Sequence, residues 1–408
     1  MKRVLVFSLA YHPFVGGAEL ALEEILGRMN PQDYHFDIVT LRFNPTFPKK
    51  EEKGNVTIHR IGFTADIWHV SERSLPWQIR FSKFLFPVLS FLKASVLHRK
   101  NAYAFIWAMM ANQAGFGALF FKYANPDIPY LLELQDGNTL EEVKKRRPLL
   151  RMIWPFYRQI YLKADMIKVI SSFIKGLVSE IGYEKRLVVI PNAVDTRRFS
   201  EPISEEALLF LKEALGKRMG DVFLFTASRL VLSRGVEDVI RALRHLPENV
   251  KFLIAGEGDD KEKLAAIAQE EGVSVRVKFV GHIEHNNLPI YFKISDIFVR
   301  PSLVEGFGTA FIEAFAAGLP VVATPVGGIP DFLSDPDRSP DTEPTGLFCN
   351  VHDPESVARA VKKYMEDPVL TARIVKNAKE LAVQKYDWNL IANDMREKVF
   401  APLMKGRG

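Results

Sequence analysis

Two patterns alternate along the chain. Short apolar, β-branched runs are followed by longer stretches whose apolar positions recur every three or four residues. In the first half, RVLVFSLA predicts a strand and GAELALEEILGRM a helix. HFDIVTL predicts the next strand, residues 77–98 a helix, AYAFIWAM a strand and ANQAGFGALFFKYA a helix. PYLLEL, MIKVISS and LVVIP complete the strands, with a helical stretch at 141–163. The alternation restarts after Asp195 with strands DVFLFTASRL, VKFLIAGEG, VRVKFVG, DIFVRPS and PVVATP. Helical patterns lie at VEDVIRALRHL, before Glu271, and at 354–366 and 369–385. Strands separated by helices of this length need crossover connections and pair in parallel. Their near-continuous apolar runs suit sheets covered on both faces.

The reading is therefore α/β, with two doubly wound parallel-sheet domains. The boundary falls near PNAVDTRRF, after residue 192. The amphipathic tail YDWNLIANDMREKVFAPLM can pack back on the first domain. Ligands on such folds sit at the carboxyl ends of the strands, so the expected site is a cleft between the domains.

Composition narrows this only a little. A chain of 408 residues is too long for one core and fits two domains of ordinary size. Cys349 is the single cysteine, so no disulfide forms within the chain, which fits a reducing, cytoplasmic setting. The apolar run at the N-terminus lacks a cleavage site of small residues and reads as a strand. No stretch reaches about 18 uninterrupted apolar residues. The nearest, 84–97, is broken by Pro87 and Lys93. The net charge of +5 conceals an asymmetry, because residues 1–192 carry 26 Lys/Arg against 17 Asp/Glu. A basic first half fits an anionic surface or acceptor, and equally a solvated basic face.

The chemistry concentrates in RPSLVEGFGTAFIEAFAAGLP. Glu305 follows a strand and precedes Gly-Phe-Gly, while Glu313 lies about one turn into an otherwise apolar helix. Gly308 or Thr309 starts that helix, Gly318 ends it, and Pro320 prevents its continuation. An unpaired buried carboxylate costs several kcal/mol, on the order of the desolvation penalty, so Glu313 needs donors. A ribose diol supplies two. The backbone N–H groups of Phe307, Gly308 and Thr309 offer an anion site at the helix start. The plain alternative is that Glu313 complements the helix dipole and Glu305 is a solvated loop acid.

Arg229 and Arg234 in ASRLVLSRG follow another strand. Two guanidiniums there make a diphosphate clamp, or else surface arginines paired with acids such as Glu237. Gly16 and Gly17 in FVGGAEL form a turn before a helix, without a G-x-G-x-x-G fingerprint. His282 and His285 are the one close histidine pair and have no further ligands nearby, so no metal site is expected. No Asp-x-Asp follows an apolar strand either. Residues 144–163 interleave basic residues with Trp154, Phe156, Tyr157 and Tyr161. That pattern fits a helix on an anionic membrane, or one buried on one side, and Pro148 and Pro155 favour the second. No nucleic-acid-binding module accompanies the charge.

Together these residues resemble the retaining, nucleotide-sugar-dependent glycosyltransferases of family 4, with the GT-B fold. The E-x7-E frame is Glu305 to Glu313, GGAE at 16–19 matches the N-terminal glycine loop, PNAVDTRRF resembles the interdomain segment, and SRLVLSRG resembles the family's Arg–Lys pair. The resemblance implies an N-terminal Rossmann-like acceptor-side domain of 1–192 plus about 386–408, and a nucleotide-sugar-binding domain of 193–385. Arg229 and Arg234 would hold the donor diphosphate, Glu305 would sit at the transferred sugar, and Glu313 would bind the ribose. Gly16 and Gly17 would lie against phosphate or acceptor, with Glu19 and Gln135 as further sugar contacts. The reaction would move a hexosyl unit from a UDP- or GDP-sugar to a glycan or lipid-linked acceptor. It would retain configuration and use no cofactor or metal, in the cytoplasm and at the inner face of a membrane if the basic domain contacts one. Two positions depart from the pattern: Arg234 stands where Lys is usual, and Gln135 where a His is frequent. A GT-B nucleotide-sugar epimerase and a non-catalytic nucleotide-sugar-binding subunit are the alternatives.

Overall fold

Runs of Val, Ile, Leu and Phe cannot leave either face in water, and here they become the inner strands of two sheets. The computed structural model describes residues 1–13, 16–67, 75–146 and 151–405. Two units result: Met1–Asn192 with Trp388–Gly408, and Ala193–Asp387.

In the first unit, β1 (Lys2–Phe7), β2 (Tyr34–Leu41), β3 (Lys50–Lys53), β4 (Val56–Ile61), β5 (Tyr103–Met109), β6 (Tyr130–Leu134), β7 (Met166–Val169) and β8 (Arg186–Val189) form one sheet. Its order is β3-β4-β2-β1-β5-β6-β7-β8. Helices α1 (Gly17–Gly27), α2 (Trp77–His98) and α3 (Gln113–Ala124) serve the crossovers. β3 corrects the all-parallel expectation, since it pairs antiparallel with β4. Its sequence, KEEK, has no apolar signal, and a charged strand is tolerated because it forms an edge open to water. Residues 141–163 are not one helix. Leu140–Arg146, Trp154–Tyr157 and Gln159–Leu162 are separate turns, since Pro155 has no N–H to continue a helix. Pro148 lies outside the described residues. The tail docks on this unit through Phe400, whose ring lies 5.1 Å from Phe105 and 5.6 Å from Trp107.

In the second unit, β9 (Val222–Ala227), β10 (Val250–Ala255), β11 (Val277–Gly281), β12 (Ile297–Arg300), β13 (Val321–Ala323) and β14 (Leu347–Phe348) are ordered β11-β10-β9-β12-β13-β14. Every pairing between these strands is parallel. The order reverses between β9 and β12, so the loops leaving these two strands flank the switch point where doubly wound sheets bind ligands.

Candidate active site

The loop after β9 and the loop after β12 are bonded to each other. Leu303 donates its N–H to Ser233 O at 2.9 Å, and the loop after β10 joins them through Asp260, whose Oδ2 accepts from Leu232 N at 3.0 Å. Gly235 permits this approach: it has φ of 68°, and a Cβ there would stand 1.8 Å from Pro301 O. The closure brings Arg234 to Glu305. Arg234 Nη1 donates to Glu305 Oε2 at 2.8 Å and to Val304 O at 3.2 Å. Glu305 is thus a buried ion-pair partner rather than a solvated loop acid. Arg234 bonds to Glu305 instead of Glu237.

A third arginine, Arg300 at the end of β12, was not singled out from the sequence. Its Nη2 donates to the same Glu305 oxygen at 3.0 Å, and its Nη1 to Ala227 O at 3.3 Å. The guanidinium lies 4.3 Å from the Phe311 ring centre. Burial pulls its pKa down to about 10, Glu305 and Glu313 act the other way, and Arg234 adds to the lowering. It therefore keeps its charge at neutral pH. The signal was hidden because an arginine at the end of DIFVR reads as the polar end of an apolar strand. Arg229, after β9, is exposed, with no side-chain hydrogen bond or ion pair among the described residues.

The helix Thr309–Ala317 begins as read from the sequence, with Gly308 before it and Gly318 after it, both left-handed. A Cβ on Gly308 would meet the Phe311 ring at 2.5 Å, so the sharp entry to this helix requires glycine. Among the described residues, no protein acceptor takes the N–H groups of Phe307, Gly308 or Thr309. The Phe307 side chain packs against Phe332 and Tyr386, with ring centres 5.3 and 5.5 Å away, so only its backbone is offered.

Glu313 is buried and finds a protein donor that the sequence did not reveal. His285 Nε2 lies 3.0 Å from its Oε1, and Arg198 Nη1 lies 3.0 Å from His285 Nδ1. A guanidinium only donates, so Nδ1 accepts and Nε2 carries the proton given to Glu313. Arg198 belongs to PNAVDTRRF, where Asp195 Oδ1 caps the short helix Thr196–Ser200 by accepting from Arg198 N at 3.1 Å. No local spacing could have linked Arg198, His285 and Glu313, because they lie on three separate elements.

In the first unit, Gly16 donates its N–H to Glu19 Oε2 at 2.9 Å, so Glu19 caps its own helix. Gly17 has open space where a side chain would project. Phe14 and Val15 of the same motif lie outside the described residues. Gln135 follows β6. Its Nε2 donates to Glu133 Oε1 at 2.6 Å, and its Oε1 accepts from Asn192 at 2.9 Å. Glu133 in turn pairs with Lys168 at 2.6 Å, both fully buried. The Glu133 carboxylate therefore dictates which way the Gln135 amide points, since the reversed amide would set oxygen against carboxylate. In the basic stretch at 144–163, Tyr157, Ile160 and Tyr161 are buried and Lys144 sits 4.0 Å over the Trp154 ring. Glu237, Asp238 and His352 bring three potential ligand atoms within 4.8 Å of one another, a cluster absent from the sequence reading because His352 is so distant in the chain.

The chain matches the family model for glycosyl transferases group 1 over residues 210–381 and that for glycosyltransferase family 4 over residues 15–198. It is 30% identical over 241 residues to an uncharacterized glycosyltransferase of Methanocaldococcus jannaschii, covering 58% of this chain and 60% of that one. It is 29% identical over 246 residues to a GDP-mannose-dependent alpha-(1-6)-phosphatidylinositol monomannoside mannosyltransferase of Mycobacterium tuberculosis, covering 58% and 61%. The chain spans about half to three fifths of the length of the curated relatives it matches. Among solved structures, it is similar to sucrose-phosphate synthase from Thermosynechococcus elongatus, with a TM-score of 0.82, 20% identity and 100% of both chains covered.

Proposed function

The chain belongs to glycosyltransferase family 4, with the GT-B fold, and from that premise we propose that it moves a hexosyl unit from a UDP- or GDP-sugar to a hydroxyl acceptor with retention of configuration. The observation that carries this reading is an excess of positive charge at the switch point of the second sheet. Two guanidiniums share one carboxylate oxygen, Arg229 stands exposed, and three backbone N–H groups have no acceptor among the described residues. A diphosphate is the ligand that such a surplus of donors fits.

On this reading Arg229 and Arg234 stabilise the departing diphosphate, Arg300 holds Glu305 at the sugar, and Glu313 takes the ribose hydroxyls with its remaining oxygen. The sugar–phosphate bond breaks, the acceptor hydroxyl attacks from the face the diphosphate leaves, and its proton passes to the departing phosphate oxygen. Catalysis then comes from positioning and charge stabilisation, with the guanidiniums in place of a divalent cation. Gly16, Gly17, Glu19 and Gln135 serve the acceptor side. Both amide groups of Gln135 are engaged, which suits orientation of a sugar hydroxyl better than proton abstraction. The mycobacterial relative's name pairs a GDP-sugar with a lipid acceptor, which supports a lipid-linked glycan here.

A thermal-shift panel of UDP-, GDP- and ADP-sugars tests the reading. A true donor at a hundred times its dissociation constant stabilises the fold by about 2.7 kcal/mol. Failure of every nucleotide sugar to shift the transition overturns it. Donor binding without turnover for any glycan or lipid-linked acceptor leaves the binding-subunit alternative.

A further inference from the structure

Helix α2 is long and apolar enough to span a membrane, with a mean hydropathy of 1.2, yet only 28% of its apolar window is buried. One face is committed to the fold. Ile79, Ser82, Phe86, Ser90, Ala94 and Leu97 are buried, and Ser90 sits close to Gly117 of α3. The opposite face, by the 3.6-residue period, is a ridge of Trp77, Phe81, Phe84, Val88, Leu92 and Val96. These are 44–71% exposed, and Phe63 (54% exposed) extends the ridge by packing on Phe81 at 5.9 Å. Five turns of exposed large apolar side chains exceed the scattered surface hydrophobics of an ordinary monomer.

The charge around the ridge identifies what covers it. No Asp or Glu occurs from residue 75 to residue 126. Over the helix and its end lie Arg80, Lys83, Lys93, Arg99 and Lys100. Arg80, Arg99 and Lys100 are exposed, and Lys83 and Lys93 are half-buried. A two-fold copy of the ridge would set Arg99 and Lys100 against their own kind, with no Asp or Glu in α2 to answer them. An anionic bilayer offers both an apolar phase and the opposite charge. Because its inner face is packed against the fold, α2 can lie in the bilayer surface but cannot cross it.

We propose that α2 is a membrane-docking helix, its ridge entering the interface of an anionic bilayer with its cations at the headgroups. This deepens the lipid-linked-acceptor reading and rests on it: the same unit that would present the acceptor holds itself at the surface where that acceptor resides.

The test is flotation of the full chain with two vesicle preparations, phosphatidylcholine alone and phosphatidylcholine with about a third phosphatidylglycerol. The native chain should float with the anionic vesicles and much less with the neutral ones. Phe84→Glu/Leu92→Glu should abolish flotation, and Arg99→Gln/Lys100→Gln should weaken it about fivefold per charge removed. All four side chains are exposed, so near-native circular dichroism and an unchanged donor thermal shift are expected. Absence of flotation by the native chain, or native-like flotation of Phe84→Glu/Leu92→Glu, overturns the proposal. A solution dimer that this variant disperses also overturns it, in favour of a second copy on the ridge. The thermal-shift readout uses no lipid, so a chain that binds donor but not vesicles defeats the docking helix alone. A chain that binds vesicles but no nucleotide sugar defeats the catalytic reading.

Discussion

Each unit buries charge at the carboxyl ends of its strands, but the two settle it differently. In the first, Lys168 and Glu133 stand opposite each other on β7 and β6, and their pairing at 2.6 Å is extended by Gln135 and Asn192. One cation meets one anion and the remaining contacts are neutral amides. In the second, Glu305 meets Arg234 and Arg300, with Arg229 nearby in sequence and, ahead of a helix, backbone donors that have no acceptor among the described residues. A balanced pair leaves no net charge for an outside ion to answer, although Glu133 Oε2 has no hydrogen-bond partner among the described residues. An unbalanced cluster keeps capacity for an anion. Buried charge alone therefore points to no function, whereas the sign left over after the protein's own pairs are counted does.

The strongest way to break this comparison is to unbalance the balanced pair. Lys168→Met should leave Glu133 buried and unpaired and cost about 3–5 kcal/mol in urea unfolding. Replacing both partners, Lys168→Met/Glu133→Leu, should recover most of that loss, because removing a whole pair is often close to neutral. If the single and double variants were equally damaged, the pair would not be the reason for the loss.

The unbalanced cluster should respond in turnover rather than in folding. Arg229→Ala is expected to lower kcat by about 10²–10³-fold, the range seen when one donor to developing negative charge is removed. Its unfolding midpoint should barely move, since Arg229 is exposed and bonds no other described side chain. Full activity in this variant would remove Arg229 from the clamp. A smaller effect is expected at Glu313. Glu313→Ala should weaken donor binding about 10- to 100-fold, as lost hydrogen bonds to a charged group are worth about 1.5–3 kcal/mol, while kcat changes less. Equal donor affinity by calorimetry would limit Glu313 to holding His285.

The first unit also carries an acid-sensitive carboxylate. Asp37 is buried, which pushes its pKa up, but hydrogen bonds from His59, Arg3 and Tyr103 outweigh this and hold it down at about 2. A carboxylate with a depressed folded pKa adds stability that is complete above its unfolded value of about 3.9 and is lost as pH falls toward 2. Stability measured from pH 5 downward should decline through that window in the native chain, and less steeply in Asp37→Asn. The smallest expected effect is that of a chelator: EDTA should leave turnover unchanged if the guanidiniums carry the charge stabilisation. A drop reversed by a divalent cation would direct attention to Glu237, Asp238 and His352.

Much of the fold was open to reading because local chemistry and global role agree. The range 77–98 for α2 coincides with the helix observed, and the glycines at 308 and 318 bound the helix that carries Glu313. β3 was missed because an edge strand can be wholly charged. The helical reading of 141–163 failed because a periodic pattern does not reveal what a proline ring excludes. At the candidate site, Glu305, Glu313 and Arg234 were visible, since a carboxylate in an apolar run and arginines after a strand break the surrounding pattern. Arg300 and Arg198 were not, because each is unremarkable among its neighbours in sequence, and His285 stood out only as half of a close histidine pair, since its partner Glu313 lies on another element.

By itself the sequence determined the two α/β repeats, the turns at the strand ends and the acidic frame from Glu305 to Glu313, because these depend on periodicity and on backbone geometry that only glycine or proline supplies. Only the tertiary structure decided which charge answers which. Arg234 on Glu305 and the His285 proton on Glu313 follow from contacts between segments far apart in the chain, and electrostatic pairing is set by distance in space rather than by separation in sequence.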